Sequence, residues 1–392
     1  MNIVTLSRSA KADLTAADFL DRAKSIGPRL RDRAEHCDSI RRLPEETLKD
    51  FVDLGLMKIS QPARCGGYEM NWDTLCDVAR ILASYCGSQA WFQKNLADHS
   101  VLLGTFPIGA QDDVWSENPD TLVAASFDPV GRAKRVAGGF EFSGDHGFLS
   151  GIDHCDWVIA GGRMVDSPET PHFFLLPKSD GQVIDDWHTI GLCGTGSKSF
   201  TIEAAFVPEH RFLDGVLAFS GKGPGSMANK ALVYQAARGT GPTAAGFAAL
   251  CVGMAQGVLN EWVEYTVPRK SRGVEIAAQQ GTQIMFARAA AEIEAAHLMY
   301  RSSLDSSLEH IASNRKSSRM ETVSGRRNMA FAGQLCLSAA TKLFNAAGGR
   351  ALFLDSHMQR QYRNLIAAAS HHGLAWDKAA VEFGQAVLQS KA

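Results

Sequence analysis

Long runs of one kind of residue are absent from this sequence. Of its 392 residues, 40 are Lys or Arg and 42 are Asp or Glu, which gives a net charge of −2 without an extended basic or acidic run. Nucleic acids and anionic membranes attract strongly basic surfaces, so the charge pattern indicates neither partner. No apolar run approaches membrane-spanning length, and the N-terminus lacks the features of a signal peptide. We therefore predict a cytoplasmic protein that acts on a small molecule.

Paired cysteines are also absent. The eight cysteines stand singly, without a C-x-x-C motif. Disulfide frameworks and structural zinc sites use closely spaced cysteines, so the pattern favours free thiols in a reducing compartment. The neighbouring His371 and His372 do not have the spacing of metal ligands, because adjacent side chains project in different directions. We predict no metal site.

The period of the hydrophobic residues divides the chain into three parts. It is helical in the first part, drops to two between about Leu122 and Phe212, and returns to helical spacing after a loop rich in glycine and serine. This order predicts an α+β protein. We expect an N-terminal helical domain over residues 1–118, a central antiparallel β domain over 119–218, and a C-terminal helical domain over 219–392.

One strand of the β domain has a clear alternating pattern. Phe200, Ile202, Ala204 and Phe206 alternate with Thr201, Glu203 and Ala205 up to a proline at position 208. Side chains on a strand point to opposite faces in turn, so the pattern predicts that the first four residues share the buried face.

The segment FEFSGDHGFLSG, residues 140–151, carries the strongest functional signal. Its pattern predicts a strand, a glycine turn and a second strand that ends in a hydroxyl. The segment resembles the central part of the acyl-CoA dehydrogenase superfamily, which binds a flavin. The resemblance implies that Phe148 lies against the isoalloxazine ring and that the hydroxyl of Ser150 bonds to flavin N5.

Two further motifs resemble the same superfamily in the same order. Tyr265 and Arg269 match a motif whose arginine meets a flavin phosphate, often from a neighbouring subunit, although Arg272 stands where an aromatic residue is usual. Gly348 and Gly349 match a glycine pair that lets the backbone approach the cofactor. The resemblance implies an acyl-CoA dehydrogenase-like fold with a C-terminal four-helix bundle, assembled as a homotetramer.

The C-terminal segment RNLIAAASHHG, residues 363–373, separates two branches of this superfamily. It has no acid where a dehydrogenase keeps its glutamate base. It instead resembles the R-D-x-x-x-A-x-x-H motif of two-component flavin-dependent monooxygenases, with Asn364 in place of the aspartate. The resemblance implies an oxygenase component that hydroxylates an aromatic small molecule through a flavin C4a-hydroperoxide. Its co-substrates would be O2 and diffusible reduced FMN or FAD from a separate reductase.

The site residues follow from the same resemblance. His371 would polarise or deprotonate the substrate, with His372 as the alternative base. The predicted catalytic residues are His371, Ser150, His99 and Ser126; the cofactor residues are Phe148, Ser150, Ser126, Arg269, Gly348 and Gly349; the substrate residues are Trp91, His99, His371 and His372.

Several alternatives stay open at this point. The chain could be an acyl-CoA dehydrogenase-like dehydrogenase or oxidase on the same fold, or a noncatalytic flavin-binding protein. The choices between FMN and FAD, and between ring hydroxylation and heteroatom oxidation, depend on pocket shape, which motifs do not determine.

Overall fold

The N-terminal part of the protein is a layer of helices. The computed structural model describes residues 14–236 and 241–389, so most of the N-terminal segment that suggested no signal peptide lies outside the described residues. Thr15 caps the first helix by accepting a hydrogen bond from the Asp18 N–H, while the Asp18 carboxylate accepts one from the Thr15 N–H. The helices are α1 (Ala16–Asp32), α2 (Ala34–Ile40), α3 (Glu45–Asp53), α4 (Trp72–Ala83), α5 (Gly87–Leu103) and α6 (Ile108–Trp115).

The central part is a seven-stranded sheet with the order β5-β6-β2-β1-β3-β4-β7. Its strands are β1 (Val123–Val136), β2 (Gly139–Leu149), β3 (Trp157–Met164), β4 (Pro171–Pro177), β5 (Gln182–Ile184), β6 (Lys198–Pro208) and β7 (Phe212–Leu213). The prediction of a purely antiparallel domain was wrong at one pair, because β1 and β3 run parallel. The two strands that were expected within residues 140–151 are one continuous strand, β2.

An irregularity in the pairing of β2 with β6 changes which residues of β6 are buried. Phe142 pairs with Ala205 and Gly144 pairs with Ile202, so β6 has one residue more than β2 in this interval. Side chains alternate along a strand, so an extra residue moves the following ones to the opposite face. The prediction was therefore right for Phe200 and Ile202 but wrong beyond the bulge, where Phe206 is 54% exposed.

The C-terminal part is a helical bundle. Short helices α7 (Gly215–Phe219) and α8 (Pro224–Ala228) lead into α9 (Gly241–Thr266), α10 (Gln280–Ala312), α11 (Arg319–Ala347), α12 (His357–Ala369) and α13 (Trp376–Leu388), with a small hairpin of β8 (Lys270–Ser271) and β9 (Val274–Glu275). Helix α9 packs against α10, α11 and α12, which confirms the predicted four-helix bundle; α13 packs outside it on α11.

Helix α9 is the centre of this bundle. It is long and apolar enough to cross a membrane, but 83% of its most apolar window is buried inside the protein, as a core helix would be. The predicted domain border at 118/119 lies between α6 and β1, and the one at 218/219 falls inside α7. The three-domain division stays a prediction.

Helices α9 and α4 pack so closely that a glycine is needed at one position of α9. A Cβ at Gly253 would lie 2.2 Å from the Arg80 carbonyl oxygen and 2.7 Å from Ala83 Cβ. We expect Gly253→Ala to destabilise the protein by about 1–3 kcal/mol, because the helices must move apart. The control is Gly384→Ala in α13, where a Cβ would meet no atom of the described residues within 4 Å. It should stabilise the helix by up to about 1 kcal/mol. Denaturant unfolding measures both, and equal effects would contradict the packing argument.

Candidate active site

Helix α5 carries two of the predicted site residues and is buried along its whole length. Two of its glutamines donate hydrogen bonds to backbone carbonyl oxygens of the N-terminal layer. Gln89 donates to the Leu30 carbonyl oxygen at 2.8 Å, and Gln93 donates to the Leu56 carbonyl oxygen at 2.8 Å. These bonds fix the rotation of the helix, and with it the position of Trp91.

The end of β2 is a tight turn with unusual backbone angles. Phe148 has a φ of 62°, which L-residues rarely adopt, and its side chain is 77% exposed. Gly151 has a φ of 75°, and a Cβ there would lie 2.6 Å from the Phe92 ring. Between these two residues, Ser150 points inward and is buried. The turn thus exposes an aromatic ring beside a buried hydroxyl.

Three predicted residues from distant parts of the chain meet at this turn. Trp91 Nε1 donates a hydrogen bond to Ser150 Oγ at 3.2 Å. The Trp91 ring also packs edge-on against His371, with ring centres 5.6 Å apart, and His371 stacks on Phe247 at 3.9 Å. Trp91 therefore joins the hydroxyl and the imidazole into one site.

The hydrogen bonds of His371 determine which ring nitrogen carries its proton. Nδ1 accepts a hydrogen bond from the Gly373 backbone N–H at 3.1 Å, so it must present a lone pair. Burial, helped by the nearby His372 and Lys94, lowers the pKa of His371 to about 3. The ring is thus neutral at pH 7, and its one proton is on Nε2. Nε2–H is therefore the donor that this ring can offer to a ligand.

A buried ion pair lies behind this imidazole. Lys94 Nζ is 3.1 Å from Asp98 Oδ2 and 3.7 Å from the centre of the Phe247 ring. The His371 ring already occupies one face of Phe247, so Lys94 covers the opposite face. The adjacent Gly246 makes room, since a Cβ there would lie 2.4 Å from Lys94 Cε. The positive charge of Lys94 disfavours protonation of His371, which stacks on the same Phe247 ring.

His99 and Ser126 form a second group with different partners. His99 Nδ1 donates to the Val123 carbonyl oxygen at 2.9 Å, and Ser126 Oγ donates to the Gly147 carbonyl oxygen at 3.1 Å. His99 lies eight residues after Trp91 on α5, which is about 12 Å along the helix axis. Since Gly147 directly precedes Phe148, Ser126 borders the same turn of β2. His99 has the opposite tautomer to His371, with Nδ1 protonated.

The C-terminal motif is anchored to the loop that precedes β6. Asn364 Oδ1 accepts a hydrogen bond from the Leu192 N–H at 2.7 Å, and Arg363 donates to the Ile190 carbonyl oxygen and to Asp38. Asn364 thus bonds to this loop, and Gly373 is the residue that orients His371.

The remaining predicted cofactor residues lie together at the end of α11. Arg269 stacks on Tyr265 and donates to the Ala347 carbonyl oxygen at 3.1 Å, directly before Gly348. A Cβ at Gly348 or Gly349 would meet none of the described residues within 4 Å. The two motifs thus converge on an open surface, and their predicted contact with a flavin stays a prediction.

Sequence reasoning did not single out four contributors to the site. Phe247 and Lys94 support His371, while Thr195 and Ser197 adjoin Ser150. In the sequence, nothing distinguishes Phe247 from an ordinary core residue of an apolar helix. Lys94 could have been recognised from the sequence, because it is a charged residue one turn after Trp91 in a helix that is otherwise poor in charge.

Comparison with known proteins agrees with this geometry. Residues 245–376 match the family model described as acyl-CoA dehydrogenase, C-terminal domain. Over 383 residues the chain is 31% identical to the oxygenase subunit HsaA of a flavin-dependent monooxygenase from Mycobacterium tuberculosis, a match that covers 96% of this chain and 95% of the relative. The chain belongs to this family of flavin-dependent monooxygenase oxygenase subunits.

Two further matches support the assignment. An FADH(2)-dependent resorcinol hydroxylase, oxygenase component, from Rhizobium sp. is 30% identical, and the match covers 94% of each chain. The crystal structure of the HsaA monooxygenase from M. tuberculosis superposes with a TM-score of 0.90 at 30% identity, covering 96% of this chain and 98% of that one. The predicted family, fold and enzyme class, with a reduced flavin as cofactor, are confirmed. These matches do not support the two alternatives, a dehydrogenase or oxidase on the same fold and a noncatalytic flavin-binding protein.

His146 on strand β2 makes the stability of this region depend on pH. Its side chain is 1% exposed, neither ring nitrogen has a hydrogen-bond partner among the described residues, and burial lowers its pKa to about 4. The unfolded chain, with a pKa of about 6.5, binds more protons in mild acid. Folding stability therefore falls as the pH drops from about 6.5 towards 4.

We expect His146→Leu to reduce this acid sensitivity. The histidine should account for about 2 kcal/mol of the stability lost between pH 7 and pH 5. Urea unfolding at the two pH values measures the difference, and the exposed His36→Gln serves as the control. An unchanged pH dependence in His146→Leu would contradict a buried neutral ring.

Proposed function

We propose that this enzyme hydroxylates a small aromatic, phenol-like substrate with O2 and with reduced FMN or FAD supplied by a separate reductase. The reduced flavin supplies two electrons, so that one oxygen atom enters the substrate and the other leaves as water. The observation that carries the proposal is the double role of Trp91. It bonds to Ser150 on the flavin side and packs against His371 on the substrate side.

The aromatic surroundings of His371 favour a planar substrate. Trp91 and Phe247 flank the imidazole with ring centres 5.6 and 3.9 Å away. Aromatic walls bind flat rings by offset or edge-on contacts. A phenol oxygen would accept a hydrogen bond from His371 Nε2–H. This bond stabilises the developing phenolate, whose ring is richer in electrons than that of the neutral phenol.

Full proton transfer to His371 is disfavoured. A phenol with a pKa of about 10 and an imidazole with a pKa of about 3 differ by about 7 units, or about 10 kcal/mol. A donor role for His371 is therefore favoured over a base role.

The contacts of the two adjacent histidines favour His371 over His372. His371 is largely buried, stacks on Phe247 and is oriented by the Gly373 N–H. His372 is exposed. On the flavin side, the exposed Phe148 and the neighbouring Ser150 and Ser126 fit the edge of an isoalloxazine ring, and the dry surroundings of Ser150 protect the reactive cofactor from water.

A second copy of the chain would complete the cofactor site. Arg269, Gly348 and Gly349 form an open surface, and the neighbouring Leu352 and Leu354 are 66% and 77% exposed. Apolar side chains clustered beside a cofactor motif suit a subunit interface. We therefore propose a homotetramer. We also propose a cytoplasmic location, which suits eight buried free cysteines.

The role of His371 can be tested by removing its ring. We expect His371→Ala to lower the yield of hydroxylated product per reduced flavin oxidised by about 10- to 100-fold, because one hydrogen bond to a charged oxygen is lost. Hydrogen peroxide should replace the missing product. The measurement uses reduced FMN or FAD, O2 and a panel of simple phenols, with product quantified by mass spectrometry and peroxide by a coupled assay.

The matched control is His372→Ala, which should keep the normal yield. Both variants should bind reduced flavin with unchanged affinity. Normal product yield from His371→Ala, or loss of product only in His372→Ala, would refute the assignment.

The tetramer can be tested at the exposed leucine. Light scattering should give a mass of about 170 kDa, four times the 42.4 kDa of one chain. Leu354→Glu places a charge in the proposed interface and should reduce the mass and weaken flavin binding together. Dissociation without any change in flavin affinity would argue against a cofactor site shared between subunits.

A further inference from the structure

Ser150 lies in a chain of hydrogen bonds that continues beyond Trp91. Its Oγ is 2.8 Å from Ser197 Oγ, and Ser197 Oγ is 2.7 Å from Thr195 Oγ1. Thr195 Oγ1 in turn donates to the Leu192 carbonyl oxygen at 2.8 Å. We call the series Trp91, Ser150, Ser197, Thr195 and Leu192 the hydroxyl relay.

The two ends of the relay determine the direction of every bond within it. An indole N–H can only donate and a carbonyl oxygen can only accept, whereas each hydroxyl has one proton. The Thr195 proton goes to Leu192, so Thr195 must accept from Ser197. The Ser197 proton is thereby used, so Ser197 must accept from Ser150. All protons of the relay point from Trp91 towards Leu192.

This direction leaves Ser150 without a proton to offer a ligand. Its own proton goes to Ser197, and one of its lone pairs accepts the Trp91 N–H. Only its second lone pair is available. Thr195 is fully buried and Ser197 is 4% exposed, so water does not reach these two hydroxyls to reverse their bonds. The backbone holds the two turns together, because the Gly151 N–H donates to the Thr195 carbonyl oxygen at 2.9 Å.

We propose that the hydroxyl relay makes Ser150 an obligate acceptor and so selects reduced over oxidised flavin. This inference rests on the proposed position of flavin N5 at Ser150. Reduced flavin carries a proton on N5 and can donate to the Ser150 lone pair. Oxidised N5 has only a lone pair, which would face another lone pair. Ser197 and Thr195 are thus positioning residues that favour binding of the reduced cofactor and release of the oxidised one.

The test measures binding rather than turnover. Dissociation constants of reduced and oxidised FMN and FAD are determined anaerobically for the whole protein, and their ratio gives the selectivity. In Ser197→Ala and Thr195→Val, the Ser150 hydroxyl no longer has to donate to residue 197, so it can donate to N5 of oxidised flavin. We expect the selectivity for reduced flavin to fall by about 5- to 10-fold, the effect of one hydrogen bond. Thr195→Ser keeps a hydroxyl and should retain the selectivity.

A flavin analogue provides an independent control. Reduced 5-deazaflavin has carbon in place of N5 and no N–H donor there, so the wild-type protein should not prefer it to its oxidised form. A merely structural role for Ser197 and Thr195 would weaken both redox states equally and leave the ratio unchanged.

The outcomes separate this inference from the proposed function. Unchanged selectivity in both folded variants, with tight binding of reduced flavin, would overturn the relay but leave the monooxygenase site intact. If the wild-type protein bound neither redox state of either flavin, the proposed site and the relay would fall together. Thermal unfolding of each variant verifies that it is folded.

Discussion

The complete burial of helix α5 is the constraint on which the rest of the site depends. A buried polar group without a partner is destabilising by about 1–3 kcal/mol, so a helix with no exposed face needs partners inside the protein for its polar side chains. The side-chain amide nitrogens of Gln89 and Gln93 find them in backbone carbonyl groups of the N-terminal layer. Rotation of α5 would break these bonds together, which is why Trp91 can act as a rigid support.

The strained end of β2 places reactive groups against this support. Phe148 adopts a left-handed backbone conformation that costs about 1–3 kcal/mol for a non-glycine residue. The turn is retained because Gly151 packs closely on Phe92, and because Ser150 bonds to Trp91 and Ser197. The packing of the core thus stabilises a turn in which the Phe148 ring is exposed and the Ser150 hydroxyl is buried.

Motifs in the sequence singled out Ser150 and His371, and the fold brings both into contact with Trp91, although 220 residues separate them. Their roles at the site stay a prediction. The parallel pairing of β1 with β3 was not predictable, since strand order depends on contacts between distant segments. The bulge in β6 was missed for a similar reason: its cause is the register of the partner strand, and Ala204 and Phe206 alone do not reveal it.

The finer electrostatics of the site also lay beyond sequence reasoning. The prediction that His371 polarises or deprotonates the substrate left two roles open. The choice between them depends on the Gly373 N–H and on Lys94 behind Phe247, which only the folded chain brings together. Phe247, the ring between Lys94 and His371, belongs to helix α9. The composition of this helix is ordinary, so no local sequence pattern identifies Phe247.

The backbone of Leu192 links the two halves of the site. Its N–H is held by Asn364 of the C-terminal helix α12, and its carbonyl oxygen receives the proton of Thr195. Helix α12 ends just before the imidazole of His371. Helix α12 and the hydroxyl relay are therefore fastened to the two peptide groups on either side of the Leu192 Cα, so a displacement of one acts directly on the backbone that holds the other.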